Sequence, residues 1–137
     1  MAAREKDVSN TATMAATADK HELYEEAVQN VEEEVRFFKT TFKEIVGRDA
    51  RVFREDFCGT ASASCEWARQ GSDYRAIGVD LCADTLQWGR DKRLSKLTSE
   101  EQSRVTLIEG DVLNSRAEAA DILGASNFSY WCFHTRA

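Results

Sequence analysis

The first strong pattern along the chain is a stripe of apolar residues that begins near residue 20. Its members recur every three or four positions, which is the spacing of one face of a helix, while the glutamates between them lie mostly off that face. The stripe consists of Leu23, Ala27, Val31, Val35, Phe38, Phe42 and Ile45. Asp19, with Glu22 three residues later, suits the start of a helix, and Gly47 suits its end. The pattern predicts one helix over about 20–46.

Beyond this helix, short runs with strand character alternate with segments of helical spacing. The runs that predict strands cover about 50–57, 74–80, 104–109 and 127–133, and the segments that predict helices cover about 61–70, 83–96 and 115–123. Strands that alternate with helices form parallel sheets with right-handed crossovers. We therefore predict an α/β, Rossmann-like fold whose mostly parallel sheet has flanking helices and is preceded by the long helix.

The apolar pattern and the composition together predict the domain boundaries and the class of protein. Residues 1–18 contain few large apolar side chains, so we expect a disordered tail, and 19–137 are long enough for one domain. The chain is 42% hydrophobic and 31% charged, as soluble globular proteins are. It has no apolar run of about 20 residues and no apolar signal core. We expect no membrane association and a cytoplasmic protein, with the nucleus as the other possible location.

Charge and cysteine spacing narrow the chemistry. The net charge is −6 and the acids are spread along the chain, so there is no strong signal for nucleic-acid binding. The four cysteines include no CxxC pair, and with only two histidines in the chain a metal site is not expected. Because no histidine is predicted beside Cys58, a packed thiol is favoured there over a nucleophile.

Candidate ligand-binding residues follow the predicted strands, because ligands of doubly wound sheets bind outside the carboxyl ends of the strands. Gly59 permits close backbone approach, and the next helix begins with free N–H groups. Asp80 follows 21 positions later, where a carboxylate accepts hydrogen bonds from ribose hydroxyls. Asp111 can accept from an adenine amino group beside the apolar edge of Val112. Each residue alone also fits a turn or helix cap, but the combination indicates an adenosine-containing ligand.

Three segments carry a family resemblance. EDFCGT (55–60), AIGVDL (76–81) and VTLIEGDVL (105–113) resemble the first three motifs of class I S-adenosylmethionine-dependent methyltransferases. The resemblance covers about 20–137 and implies S-adenosyl-L-methionine as cofactor and methyl transfer to an acceptor that it does not identify. It implies that the methionine part is surrounded by Asp56, Phe57, Cys58, Gly59 and Thr60, the ribose bound by Asp80 beside Leu81, and the adenine contacted by Asp111 and Val112.

The glycine motif departs from that family's pattern. The usual acid-x-Gly-x-Gly-x-Gly places Glu55 at the acid, Phe57 at the first glycine and Ala61 at the third, so only Gly59 is kept. The same loop lacks the G-x-G-x-x-G turn that a pyrophosphate requires, which disfavours a dinucleotide-binding dehydrogenase.

The resemblance also predicts an incomplete domain. The family's sheet has seven strands, and its substrate contacts come largely from the part after the fourth. We therefore expect a truncated form that is marginally stable and inactive alone, with catalytic residues that the sequence does not identify. Trp131, Cys132 and Phe133 follow the predicted fourth strand and belong either to the core or to an aromatic lining near the sulfonium.

The predicted fourth strand would also leave an exposed sheet edge, which favours self-association. The alternative function is therefore a non-catalytic Rossmann-like remnant that acts in protein association.

Overall fold

The computed structural model describes residues 13–28 and 30–126, and the chain forms two compact units, Met1–Asn30 and Val31–Ala137. The first contains helices α1 (Met14–Thr17) and α2 (Lys20–Val28). Asp19 begins α2 as predicted, because its Oδ1 accepts hydrogen bonds from the amides of His21 (2.8 Å) and Glu22 (3.4 Å). Most of the predicted tail over 1–18 lies outside the described residues.

The prediction of one helix over 20–46 is wrong. Helix α2 ends at Val28, and a second helix, α3 (Val31–Val46), begins after Asn30. Asparagine is favoured directly before a helix over positions inside one, and α3 opens with three acidic residues that suit the positive end of the helix dipole. The residue types at this point therefore favour a new helix start, and the apolar stripe is divided between two helices.

The second unit contains a four-stranded parallel sheet. After α3 the elements are β1 (Val52–Asp56), α4 (Ser62–Arg69), β2 (Arg75–Asp80), α5 (Ala83–Lys92), a 3-10 turn (Leu94–Lys96), α6 (Ser99–Ser103), β3 (Val105–Glu109) and β4 (Ile122–Gly124). The strand order is β3-β2-β1-β4, and Phe53 of β1 pairs with Ala76 of β2 and Ile122 of β4. The winding direction therefore reverses beside β1, which is where doubly wound sheets bind their ligands.

An aromatic row fills the core between the sheet and helices α3 and α4. Phe38 of α3, Phe53 of β1, Trp67 of α4 and Tyr74 follow one another with ring centroids 5.2–5.6 Å apart. Trp67 is fully buried, and its indole N–H donates to the Arg51 carbonyl over 3.1 Å. Aromatic pairs in this range contribute about 0.5–1.5 kcal/mol beyond the burial of their area. The row therefore fixes α3 and α4 on one face of the sheet.

The other face of the sheet is covered by the crossover from β3 to β4, residues 110–121. Its residues Val112 and Ala120 pack on Val52, Ile77 and Val79 of the central strands. The prediction of a helix over 115–123 is wrong, because residues 115–121 are irregular and Ile122–Gly124 pair with β1. Pairing with β1 overrides the good helix propensity of this alanine-rich segment. The predicted strand over 127–133 lies outside the described residues.

The other predicted strands and helices of the sheet region are confirmed, except that the helix predicted over 83–96 ends at Lys92 and is followed by the 3-10 turn. The Rossmann-like α/β fold is confirmed with them. Within residues 13–28 and 30–126, no helix combines the length and apolarity needed to cross a bilayer.

Candidate functional site

The loop between β1 and α4 has an unusual backbone. Phe57, Gly59 and Ala61 all adopt left-handed conformations, with φ of 58°, 55° and 60°. These are the three positions at which the resemblance expects glycines. A left-handed conformation costs a residue with a Cβ about 1–2 kcal/mol. The loop therefore keeps the backbone of a glycine-rich turn although two of its three glycines are replaced.

Neighbouring elements hold this loop in place. The Cys58 amide donates to the Val79 carbonyl of β2 over 3.0 Å, and the Cys58 side chain is 1% exposed. A Cβ on Gly78 would lie 2.9 Å from the Cys58 sulfur, and one on Gly89 of α5 would lie 2.4 Å from the Thr60 carbonyl oxygen. Both contacts are closer than a side chain allows. Glycines outside the loop thus let β2 and α5 pack directly against it.

Glu55 supports the loop from inside the protein. Its side chain is 3% exposed, and its Oε2 accepts hydrogen bonds from the Ser64 amide (3.0 Å) and hydroxyl (2.7 Å). Because the N-cap of α4 is Ala61, which has no side-chain acceptor, Glu55 takes over the capping role. Burial raises the Glu55 pKa to about 7, with smaller upward contributions from the charges of Glu34 and Asp80. The two hydrogen bonds from Ser64 lower the Glu55 pKa, but by less than burial raises it.

Asp80 joins the loop to the start of α5. Its Oδ2 accepts from the Gly59 amide and its Oδ1 from the Cys82 amide, both over 2.8 Å. A carboxylate has about four acceptor sites, so two remain for a ligand. The turn role and the ligand role that the sequence left open for Asp80 are therefore compatible. Leu81, the next residue, is 70% exposed and adds apolar surface at this edge.

Asp111 lies at the same edge of the sheet, because the Gly110 amide donates to the Asp80 carbonyl over 2.9 Å. Asp111 is exposed, and its Oδ1 accepts from the Leu113 amide over 2.9 Å, so it shapes the turn that follows β3. Its Oδ2 is 3.3 Å from the Asn114 side-chain nitrogen. The structure thus brings the 57–61 loop, Asp80 and Asp111 to three adjacent strand ends.

Arg54 was not predicted as a site residue, although a charged residue inside a buried strand was a signal. Its guanidinium donates to the carbonyls of Val112 (2.7 Å) and Ser115 (3.1 Å) and pairs with Asp56 over 2.6 Å. Asp56 is one of the predicted loop residues, and its carboxylate is therefore already paired with the Arg54 guanidinium.

Cys58 and Cys65 are buried, free thiols, as was predicted for Cys58. Burial raises the pKa of the Cys58 thiol far above its usual range, and burial raises that of Cys65 to about 12. Cys58 is thus a packed thiol. No cluster of three histidine, cysteine or acidic side chains suited to a metal ion occurs among the described residues.

Comparison with protein-family models and with curated sequences gives no match. Among solved structures, the plantazolicin methyltransferase BpumL in complex with a triazolic desmethylPZN analog and SAH is similar, with a TM-score of 0.57 and 11% identity over 75% of this chain and 38% of that chain. The glycopeptide N-methyltransferase MtfA is similar with a TM-score of 0.52 and 19% identity over 74% of this chain and 44% of its own. This chain therefore spans less than half of either. The likeness shows that the chain shares the fold of the aligned part of these two proteins.

Proposed function

We propose that this chain carries the S-adenosyl-L-methionine-binding half of a methyltransferase. The observation that carries the proposal is the meeting of the left-handed 57–61 loop, Asp80 and Asp111 at adjacent strand ends of this fold. Similar structures were determined with S-adenosylhomocysteine bound, and their fold is the fold of this chain. The chain covers less than half of them, so the proposal concerns the cofactor-binding part of the reaction.

The chemistry of the site residues fits this cofactor. Asp80 has acceptor sites left for the two ribose hydroxyls, with Leu81 beside it as apolar surface. Asp111 would accept from the adenine amino group, and Val112 would contact the ring edge. The loop formed by Asp56, Phe57, Cys58, Gly59 and Thr60 would surround the methionine part. When bound, S-adenosyl-L-methionine supplies a methyl group on a positively charged sulfonium.

Positioning is the main task of such a site. Methyl transfer is a displacement at the sulfonium carbon, so a protein accelerates it chiefly by holding donor and acceptor in line. The part of the chain described here would contribute the fixed position of the donor through the strained loop and Asp80. We propose that acceptor binding depends on residues other than these, so that the chain binds the cofactor without catalysing transfer alone.

Calorimetric titration with S-adenosylhomocysteine tests the proposal. We expect saturable binding by the wild-type chain. Two hydrogen bonds to a charged group contribute about 3 kcal/mol together, so Asp80→Ala is expected to weaken binding about 100-fold. Asp73→Ala is the matched control, because Asp73 lies before β2, at the opposite end of that strand, with a 72% exposed side chain. A thermal melt establishes that each variant is folded.

The proposal fails if the folded wild-type chain does not bind S-adenosylhomocysteine, or if Asp80→Ala binds as tightly as Asp73→Ala.

Absence of binding by the folded wild-type chain would favour the second candidate function, protein association. That candidate is supported by exposed apolar side chains at the end of α3 and on β4, where Ile45, Val46 and Leu123 are 77%, 50% and 61% exposed. Sedimentation at increasing protein concentration measures whether the chain then self-associates.

A further inference from the structure

The crossover that follows β3 has little structure of its own. Residues 111–121 form turns and irregular backbone, yet this segment carries the two residues, Asp111 and Val112, proposed to contact adenine. Local hydrogen bonds close only one turn, over 111–115, so the placement of the segment depends on contacts with the sheet. Three such contacts are made at different points along it: by Arg54 to residues 112 and 115, by Arg75 to Glu118, and by Asp121 to the backbone of β1.

Arg54 makes the contact nearest to the proposed site. All three nitrogens of its guanidinium are engaged, at 2.7 Å to the Val112 carbonyl, 3.1 Å to the Ser115 carbonyl and 2.6 Å to Asp56. The side chain is 14% exposed, and Asp56 balances its charge in this partly buried position. Charge-assisted bonds of this kind are about twice as strong as neutral ones.

The two carbonyls that Arg54 binds enclose the turn that Asp111 shapes. The amides of Leu113, Asn114 and Ser115 all donate to Asp111, to its carboxylate or to its carbonyl. A planar guanidinium fixes the separation of two acceptors, which a single ammonium group does not. Arg54 therefore holds the turn between Val112 and Ser115, and with it the direction in which the Asp111 carboxylate faces.

We propose that Arg54 is a positioning residue for the adenine end of the cofactor site. This inference rests on the proposed function. Arg54 would act through the turn, without touching the ligand itself. Its specific effect would be on recognition of the adenine amino group by Asp111. A general loss of stability would not produce that effect, because it would weaken the binding of every ligand alike.

The test compares affinities for S-adenosylhomocysteine and S-inosylhomocysteine, in which an oxygen replaces the adenine amino group. We expect the wild-type chain to prefer the adenine ligand and Arg54→Met to reduce this preference at least fivefold. Arg54→Lys should retain an intermediate preference, because one ammonium group can still reach one carbonyl. Arg75→Met is the matched control, since it removes another arginine that binds the same crossover, and it should keep the wild-type preference.

Hydrogen exchange of the 113–115 amides in the ligand-free chain gives a second readout. We expect faster exchange in Arg54→Met and unchanged exchange in Arg75→Met. Equal loss of affinity for both ligands, or unchanged exchange, would overturn the positioning role. If Arg54→Met does not fold, the test uses the preference of Arg54→Lys for the adenine ligand over the inosine ligand. A preference equal to that of the wild-type chain would overturn the positioning role. Failure of the wild-type chain to bind either ligand would refute the proposed function, while exchange would still report whether Arg54 holds the turn.

Discussion

Replacing Glu55 with glutamine should change how the stability of the chain depends on pH. The Glu55 pKa is about 7 in the folded chain because of burial, against an ordinary value of 4.5. A raised acid pKa means that folding favours the protonated form. The contribution of protonated Glu55 to the free energy of unfolding is fully present below pH 4.5 and is lost as pH rises through about 7. One pKa unit corresponds to about 1.4 kcal/mol, so the loss is about 3 kcal/mol over this range.

Glutamine keeps an oxygen that can accept both bonds from Ser64 but carries no charge. At pH 4.5 we expect Glu55→Gln and the wild-type chain to have similar free energies of unfolding, measured in denaturant. At pH 8 the variant should be more stable by about 3 kcal/mol. Glu44→Gln, at an exposed position of α3, is the control for loss of a negative charge. Parallel stability curves for Glu55→Gln and the wild-type chain would refute the reasoning.

Two further predictions concern packing around the loop. Gly89→Ala should lower the free energy of unfolding by about 1–2 kcal/mol. The added Cβ would lie 2.4 Å from the Thr60 carbonyl oxygen, and the cost of this overpacking exceeds the gain of about 1 kcal/mol in helix propensity. A variant that is more stable than the wild-type chain in denaturant would contradict this. Iodoacetamide should modify Cys82 well before Cys58 or Cys65, because Cys82 is exposed and a hydrogen bond from the Thr85 hydroxyl lowers its pKa, while the others are buried. Peptide mapping over time checks the order, and early modification of Cys58 would show that the loop opens.

Features set by local pattern were predictable from the sequence. The strands ending at Asp80 and Glu109 have apolar centres, the strand ending at Asp56 lies between a helix and a glycine turn, and the carboxyl ends of parallel strands share one edge of a sheet. Gly59 and Asp80, which follow two of these strands, were therefore expected close together, and the structure joins them by a hydrogen bond of 2.8 Å. The function drawn from these residues stays a proposal.

Features set by distant contacts were not predictable in the same way. The segment before β4 has good helix formers, but residues far away in sequence hold it: Arg54 bonds its backbone carbonyls, and Arg75 bonds the Glu118 side chain. Helix α6 is a different case, because Thr98 and Glu101 form a capping box that the spacing of these two residues would have revealed. The break before α3 likewise had a signal in Asn30.

The left-handed loop after β1 has a consequence for the thermodynamics of binding. A loop with three glycines samples many conformations, and a ligand must select one of them. Phe57 and Ala61 restrict the alternatives, while the packing of Cys58 and Gly89 holds the strained conformation. Less conformational entropy is then lost when a ligand binds, because the ordering has taken place during folding. In this chain the contacts that hold the loop in its strained conformation would also preorganise the proposed binding surface.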